Sequence, residues 1–188
     1  MAKPLHIAKP YRYLIAFVLV LLAANAVWKL SINADAHIVR WWGWDITCLL
    51  DACAKQTAAT AYSVAHFFKP TLLLSDDIIL YYPNGHSTTI AWSCTPIKQL
   101  FIFLCIMLAT PPFTHRIAWH KLWYIPLSMT LLYVANILRI ALIACAIDTH
   151  PEYFTLLHTY ILKYLFYGIV FLLWGAWVYS QPSNTSAP

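Results

Sequence analysis

Cys94 stands in Ala91-Trp-Ser-Cys-Thr-Pro-Ile-Lys98, where a β-prone stretch gives way to an apolar one. Pro96 suits the first turn of a helix, where its missing N–H costs nothing. A thiol at the start of a helix meets the positive end of the helix dipole, and Lys98 adds a charge one turn along. Both favour the thiolate, the form that attacks carbonyl carbon. Arg139 lies within an apolar run, where a charged side chain costs about 2.5–3.5 kcal/mol on insertion scales. Asn136 precedes it by three residues in Asn-Ile-Leu-Arg-Ile, so the two share one helical face. An intramembrane pair of this kind faces the bundle interior and marks a site more often than simple helix glue. His158 opens the next apolar run and supplies an imidazole that titrates near neutrality. A thiolate, a proton shuttle and a fixed cation are the components of acyl transfer. Cys94 attacks a peptide carbonyl, His158 moves the proton, and Arg139 steadies the oxyanion or the thiolate.

These residues lie far apart in the chain, so the elements between them must assemble the set. The 188 residues are 61% hydrophobic and only 10% charged, with mean hydropathy +0.63, against roughly a quarter charged in a soluble domain. The net charge of +5 comes from scattered lysines and arginines that form no stripe, so nucleic acid is not an expected partner. No Gly-rich phosphate loop occurs, and no cofactor or metal is expected. His115/His120 and His150/His158 lack acidic or cysteine partners at ligand spacing.

Four apolar runs predict an all-α polytopic membrane protein with spans at 13–30, 94–110, 123–147 and 158–179. The first run continues to Trp28-Lys29, which points to an uncleaved span, not a signal peptide. Segment 46–68 repeats apolar residues at 46, 49, 50, 53, 61, 64 and 67, with Asp51, Lys55, Gln56 and Ser63 on a wetter face. It is expected to lie on the membrane or against the bundle as an amphipathic helix. Charge fixes the orientation. With residues 1–12 and the tail 180–188 cytoplasmic, Lys3, Lys9, Arg12, Arg116 and Lys121 fall inside. All seven acids, Asp35, Asp45, Asp51, Asp76, Asp77, Asp148 and Glu152, then fall outside. Residues 31–93 become an extracytoplasmic region, with a β-hairpin formed by 77–82 and 87–92 around Pro83-Asn84-Gly85-His86. Cys94 then begins a descending span, Arg139 lies about 12 Å below the outer boundary of an ascending one, and His158 begins the next descent. His66, His86 and His150 are expected on the same side, so spacing alone does not single out His158.

At these positions the sequence resembles the exosortase/archaeosortase family, in particular its short, minimal bacterial members. The likeness rests on Ala91-Trp-Ser-Cys94-Thr, Asn136-Ile-Leu-Arg139-Ile and Leu157-His158, and extends over about residues 72–175. The resemblance implies a sortase-like cysteine peptidase or transpeptidase of the bacterial cytoplasmic (inner) membrane, with its site facing outward. Its partners would be membrane lipid and exported proteins whose C-terminal sorting signal it cleaves. Carried over by position, Cys94 is the nucleophile, Arg139 the electrostatic stabiliser and His158 the general acid/base, with Asn136 in support. Many members carry a small pair after the cysteine, where this chain has Thr95-Pro96.

Two other readings compete. A membrane thiol–disulfide oxidoreductase needs a resolving cysteine, and only Cys48 or Cys53 can serve. These two stand about 8–9 Å apart on one helix, too far to bridge each other, while Cys105 and Cys145 read as packing residues. In a non-catalytic scaffold or transporter subunit, Asn136 and Arg139 would only join helices.

Overall fold

The computed structural model describes residues 9–34, 38–110 and 115–180. The residues expected at the cytoplasmic ends, 1–8 and 181–188, lie outside these, as do Asp35 and the Pro111-Pro112 pair.

Five α-helices dominate: α1 (Lys9–Ser31), α2 (Thr47–Phe68), α3 (Ile97–Ala109), α4 (His115–Thr149) and α5 (Leu162–Tyr179). Among the described residues, three helical stretches are long and apolar enough to cross a bilayer, Tyr13–Ser31, Trp119–Thr149 and Pro151–Tyr179. The protein is a polytopic membrane protein. The expected span at 94–110 is helical only over Ile97–Ala109. Thirteen residues rise about 20 Å, short of the ~30 Å hydrocarbon core. Its N-terminal end is shortened because Trp92–Cys94 form a 3-10 turn before the helix begins. The expected span at 123–147 lies within Trp119–Thr149, since α4 begins before it and runs through Pro126 without ending. Thr130 Oγ1 donates to the Pro126 carbonyl there, local hydroxyl bonding of the kind that accompanies proline in membrane helices.

Helix α2 packs along α4 on a face that only partly matches the expected apolar one: Leu50 and Ala61 are buried as expected, and Asp51, Lys55, Gln56 and Ser63 stay exposed. Leu50, Ala54, Thr57, Ala58, Ala61 and Ala65 are buried, whereas Leu49 and Phe67 remain 62% and 81% exposed. Alanines let the two backbones approach closely, so dispersion contacts outweigh the larger transfer energy of the bulky face. Leu49, Phe67 and Phe68 are left outward.

Two small antiparallel sheets fill the connections. The first, missed in the sequence, joins β1 (Ile32–Ala34), β2 (Val39–Trp41) and β3 (Trp44–Asp45), with Asn33 opposite Arg40 and Trp41 opposite Trp44. Trp42 and Gly43, at φ 52° and 86°, turn β2 into β3. Two successive left-handed residues are what a two-residue hairpin turn requires. Trp42 and Trp44 project into the surroundings; indole is a side chain suited to a membrane interface. The second sheet has three strands where a two-stranded hairpin was expected: β4 (Leu73–Ser75), β5 (Ile79–Tyr81) and β6 (Ser87–Thr89). Leu80 lies opposite Leu74 on one side and Thr88 on the other. Gly85 turns the β5–β6 connection at φ 80°, and the Asn84 side chain accepts from the His86 N–H beside it.

This second sheet is fastened over the C-terminal end of α4. Asn84 Nδ2 donates to the Asp148 carbonyl at 3.2 Å, and Lys69 Nζ pairs with the Asp148 carboxylate at 2.9 Å. The core divides in two. Ala58, Ala61, Leu72, Leu80, Ile137 and Ile143 form one part beneath the sheet. Phe17, Phe103, Leu132, Phe166 and Trp174 form the other, between α1, α3, α4 and α5. On α4 the polar pair Asn136 and Arg139 falls where these two cores meet.

Candidate active site

The chain enters the site from β6. Ile90 donates back to the Ile78 carbonyl, and the backbone then tightens into the turn at Trp92–Cys94. Thr95 locks that turn. Its N–H and its hydroxyl both donate to the Trp92 carbonyl, at 3.1 and 2.6 Å, and its side chain is buried. Pro96 then caps α3, and its carbonyl accepts the first helical bond, from Leu100. Thr95-Pro96, the departure noted in the sequence, is therefore the pair that fixes Cys94 ahead of α3.

Asn136 holds Cys94 from the other side. It is fully buried, and its Nδ2 donates to the Cys94 carbonyl oxygen at 3.0 Å. This bond joins residues 42 apart in sequence and secures the cysteine turn to α4. Arg139, one turn along the same helix, is half-buried and within electrostatic reach of Cys94, Tyr167 and His158. Its Nε is buried with no hydrogen-bond partner among the described residues. A buried unpaired donor costs about 1–3 kcal/mol, so the guanidinium is held with donor capacity unspent. His158 lies in a π-helical stretch, Leu156–Ile161, between Pro151–Tyr153 and α5. Wide turns of this type inside a helix often accompany functional sites. The Phe154 ring stacks on His158, with centroids 5.2 Å apart and planes 15° from parallel.

Cys94, Arg139 and His158 line a single cavity of about 410 Å³, roofed by β5–β6 and walled by α4. Its volume lies in the range of small-ligand pockets, and its walls are largely aliphatic, with Ile140, Ile143 and Ile147 on the α4 side. Asn136 does not line it, acting through the backbone of Cys94 instead.

Of the other candidate histidines and cysteines, one joins the site and the rest lie elsewhere. His86 lines the same cavity from the sheet. His66 instead contacts the Leu72 carbonyl, and His150 pairs with Glu152. Cys48 and Cys53 belong to α2, while Cys105 and Cys145 are half-buried against the two cores. All five cysteines are free thiols. Phe154, Tyr167 and Tyr82 were not anticipated. Phe154 was discoverable in principle, because a ring four residues before a histidine shares its helical face. Tyr82, whose hydroxyl bonds Thr88 Oγ1 at 2.8 Å, closes the cavity from the sheet and left no signal in the sequence.

Compared with known proteins, residues 41–178 match a family model described as transmembrane exosortase. No curated protein and no solved structure matches the chain.

Proposed function

The chain belongs to the transmembrane exosortase family, and from that premise we propose that it is a membrane-embedded cysteine peptidase or transpeptidase. Its substrates are exported proteins carrying a C-terminal sorting signal. In this reading α3 completes a four-span topology in the bacterial inner membrane, and the site opens to the extracytoplasmic side. The observation that carries the proposal is the shared cavity: a thiol, a guanidinium and an imidazole from three separate segments line one space.

The chemistry follows from those groups. The Cys94 thiolate adds to the scissile carbonyl carbon, and charge develops on the carbonyl oxygen. Arg139, whose Nε has no partner among the described residues, offers the donor that this oxygen needs. The C–N bond then breaks, His158 delivers a proton to the departing amine, and the substrate remains as a thioester on Cys94. Water or an incoming amine attacks the thioester, giving its proton to His158, and the thiolate is restored. Asn136 positions the nucleophile and takes no part in proton transfer.

The test is processing of a sorting-signal substrate in cells lacking the native enzyme and complemented with variants. Cys94→Ala, Arg139→Ala and His158→Ala each accumulate in the membrane and leave the substrate uncleaved. Normal processing by any one of them removes that residue from the mechanism.

A further inference from the structure

Arg139 and His158 face two cavities. Beyond the one they share with Cys94 lies a second, of about 490 Å³, between the C-terminal end of α1, the start of α3 and the π-helical entry to α5. Its lining differs in kind. Lys29, Lys98 and Lys163 line it together with Arg139, and no aspartate or glutamate does. Lys98 stands close enough to both Lys29 and Lys163 to be repelled by each. None of them forms an ion pair among the described residues, where the observed pairs use Lys55, Lys69 and His150.

Four cationic side chains around one cavity oppose folding by mutual repulsion, and the low-dielectric surroundings of a membrane bundle strengthen that repulsion. Nothing in the packing of α1, α3 or α5 calls for them, since the neighbouring core is aromatic and aliphatic. An anion in the cavity removes the repulsion and gives each ammonium an acceptor. The remaining lining fits the edge of a bilayer: Trp28, Trp92 and Tyr167 supply amphipathic rings, and Ser93 and Thr159 supply hydroxyl donors. On the cytoplasmic face of membranes, basic pockets between helices bind phosphate-bearing head groups, and the same charge chemistry is available here.

We propose that this second cavity is a phosphate-binding subsite, formed by Lys29, Lys98, Lys163 and the far side of Arg139. A phosphate group bound there shares Arg139 and His158 with the cysteine cavity while remaining outside it. The inference does not depend on the peptidase reading, because none of its three lysines lines the cysteine cavity and no bond is made or broken.

The test uses purified full-length Cys94→Ala protein in neutral detergent, so that catalysis plays no part. One arm titrates inorganic phosphate, and the other a short-chain phospholipid set against the diacylglycerol that lacks its phosphate. Thermal unfolding and native mass spectrometry read binding in both arms. Protection by inorganic phosphate identifies a soluble phosphate as sufficient, and protection by the phospholipid alone identifies a lipid headgroup. Either result supports the subsite if Lys98→Gln/Lys163→Gln weakens binding at least about tenfold, as loss of two charge-assisted contacts requires. Lys98→Arg/Lys163→Arg, which keeps the charges, retains it. Lys55→Gln, on an exposed pair outside this cavity, leaves it unchanged. Absence of binding in both arms, or equal binding by the double glutamine variant, overturns the proposal. Failure of Cys94→Ala to stop processing bears only on the peptidase reading.

Discussion

Replacing Asn136 by alanine removes the one side-chain bond that, among the described residues, secures Cys94 to α4. In the intact protein Asn136 is fully buried and its amide donates to the Cys94 carbonyl at 3.0 Å. The variant strands that carbonyl at a protein junction, where loss of a partner costs about 1–3 kcal/mol. If the whole of that energy goes into displacing Cys94 from its attacking position, processing slows about 5- to 150-fold. The expected loss lies in kcat, since Asn136 does not line the substrate cavity, and KM stays near its original value. Asn136→Asp keeps the size but loses the donor, so it does no better than alanine. Asn136→Gln keeps the amide and restores part of the rate if the longer side chain reaches the carbonyl. The assay is single-turnover cleavage of a sorting-signal peptide by purified protein, run beside thermal unfolding to separate positioning from folding. A rate within twofold of the parent, or a loss entirely in KM, refutes the tether.

Other consequences can be checked the same way. Lys69 and Asp148 are largely shielded, with side-chain exposures of 33% and 15%, whereas Lys55 and Asp77 stand at 56% and 68%. Lys69→Ala should cost about 1–3 kcal/mol in chemical unfolding and Lys55→Ala under about 1 kcal/mol; equal losses would show that Lys69 does not fasten the sheet. Burial pushes the Tyr82 hydroxyl above the ordinary range for tyrosine, 10.0, outweighing its bond to Thr88. The unfolded chain therefore ionises first. The stability that the protonated phenol contributes is complete below pH 10 and is lost as pH rises from there through the raised folded value. Tyr82→Phe should flatten that alkaline decline in unfolding measurements, and an unchanged decline would assign it to other groups.

The membrane character of this chain was legible in its sequence because transfer from water to hydrocarbon is a property of each residue in turn. Asn136 and Arg139 announced themselves for the same reason: polar groups within an apolar run are costly wherever the helix lies. Cys94 was marked by the turn and proline around it. Which surfaces meet was a different matter. Hydropathy placed Leu50 and Ala61 on the buried face of α2, while the fold also buried Ala54, Ala58 and Ala65 and left Leu49 and Phe67 out, because close approach depends on the shape of the partner helix. The strands β1–β3 are two or three residues long and show no period to read. Four histidines were equivalent in the sequence, and only the folded chain brings His158 to Arg139. Lys29, Lys98 and Lys163 are separate basic residues along the chain, yet around one cavity they form a single charge cluster. Sequence determined which groups this protein had to shelter from lipid, since that cost is local; tertiary structure alone decided which of them share a cavity, since that depends on contacts between distant segments.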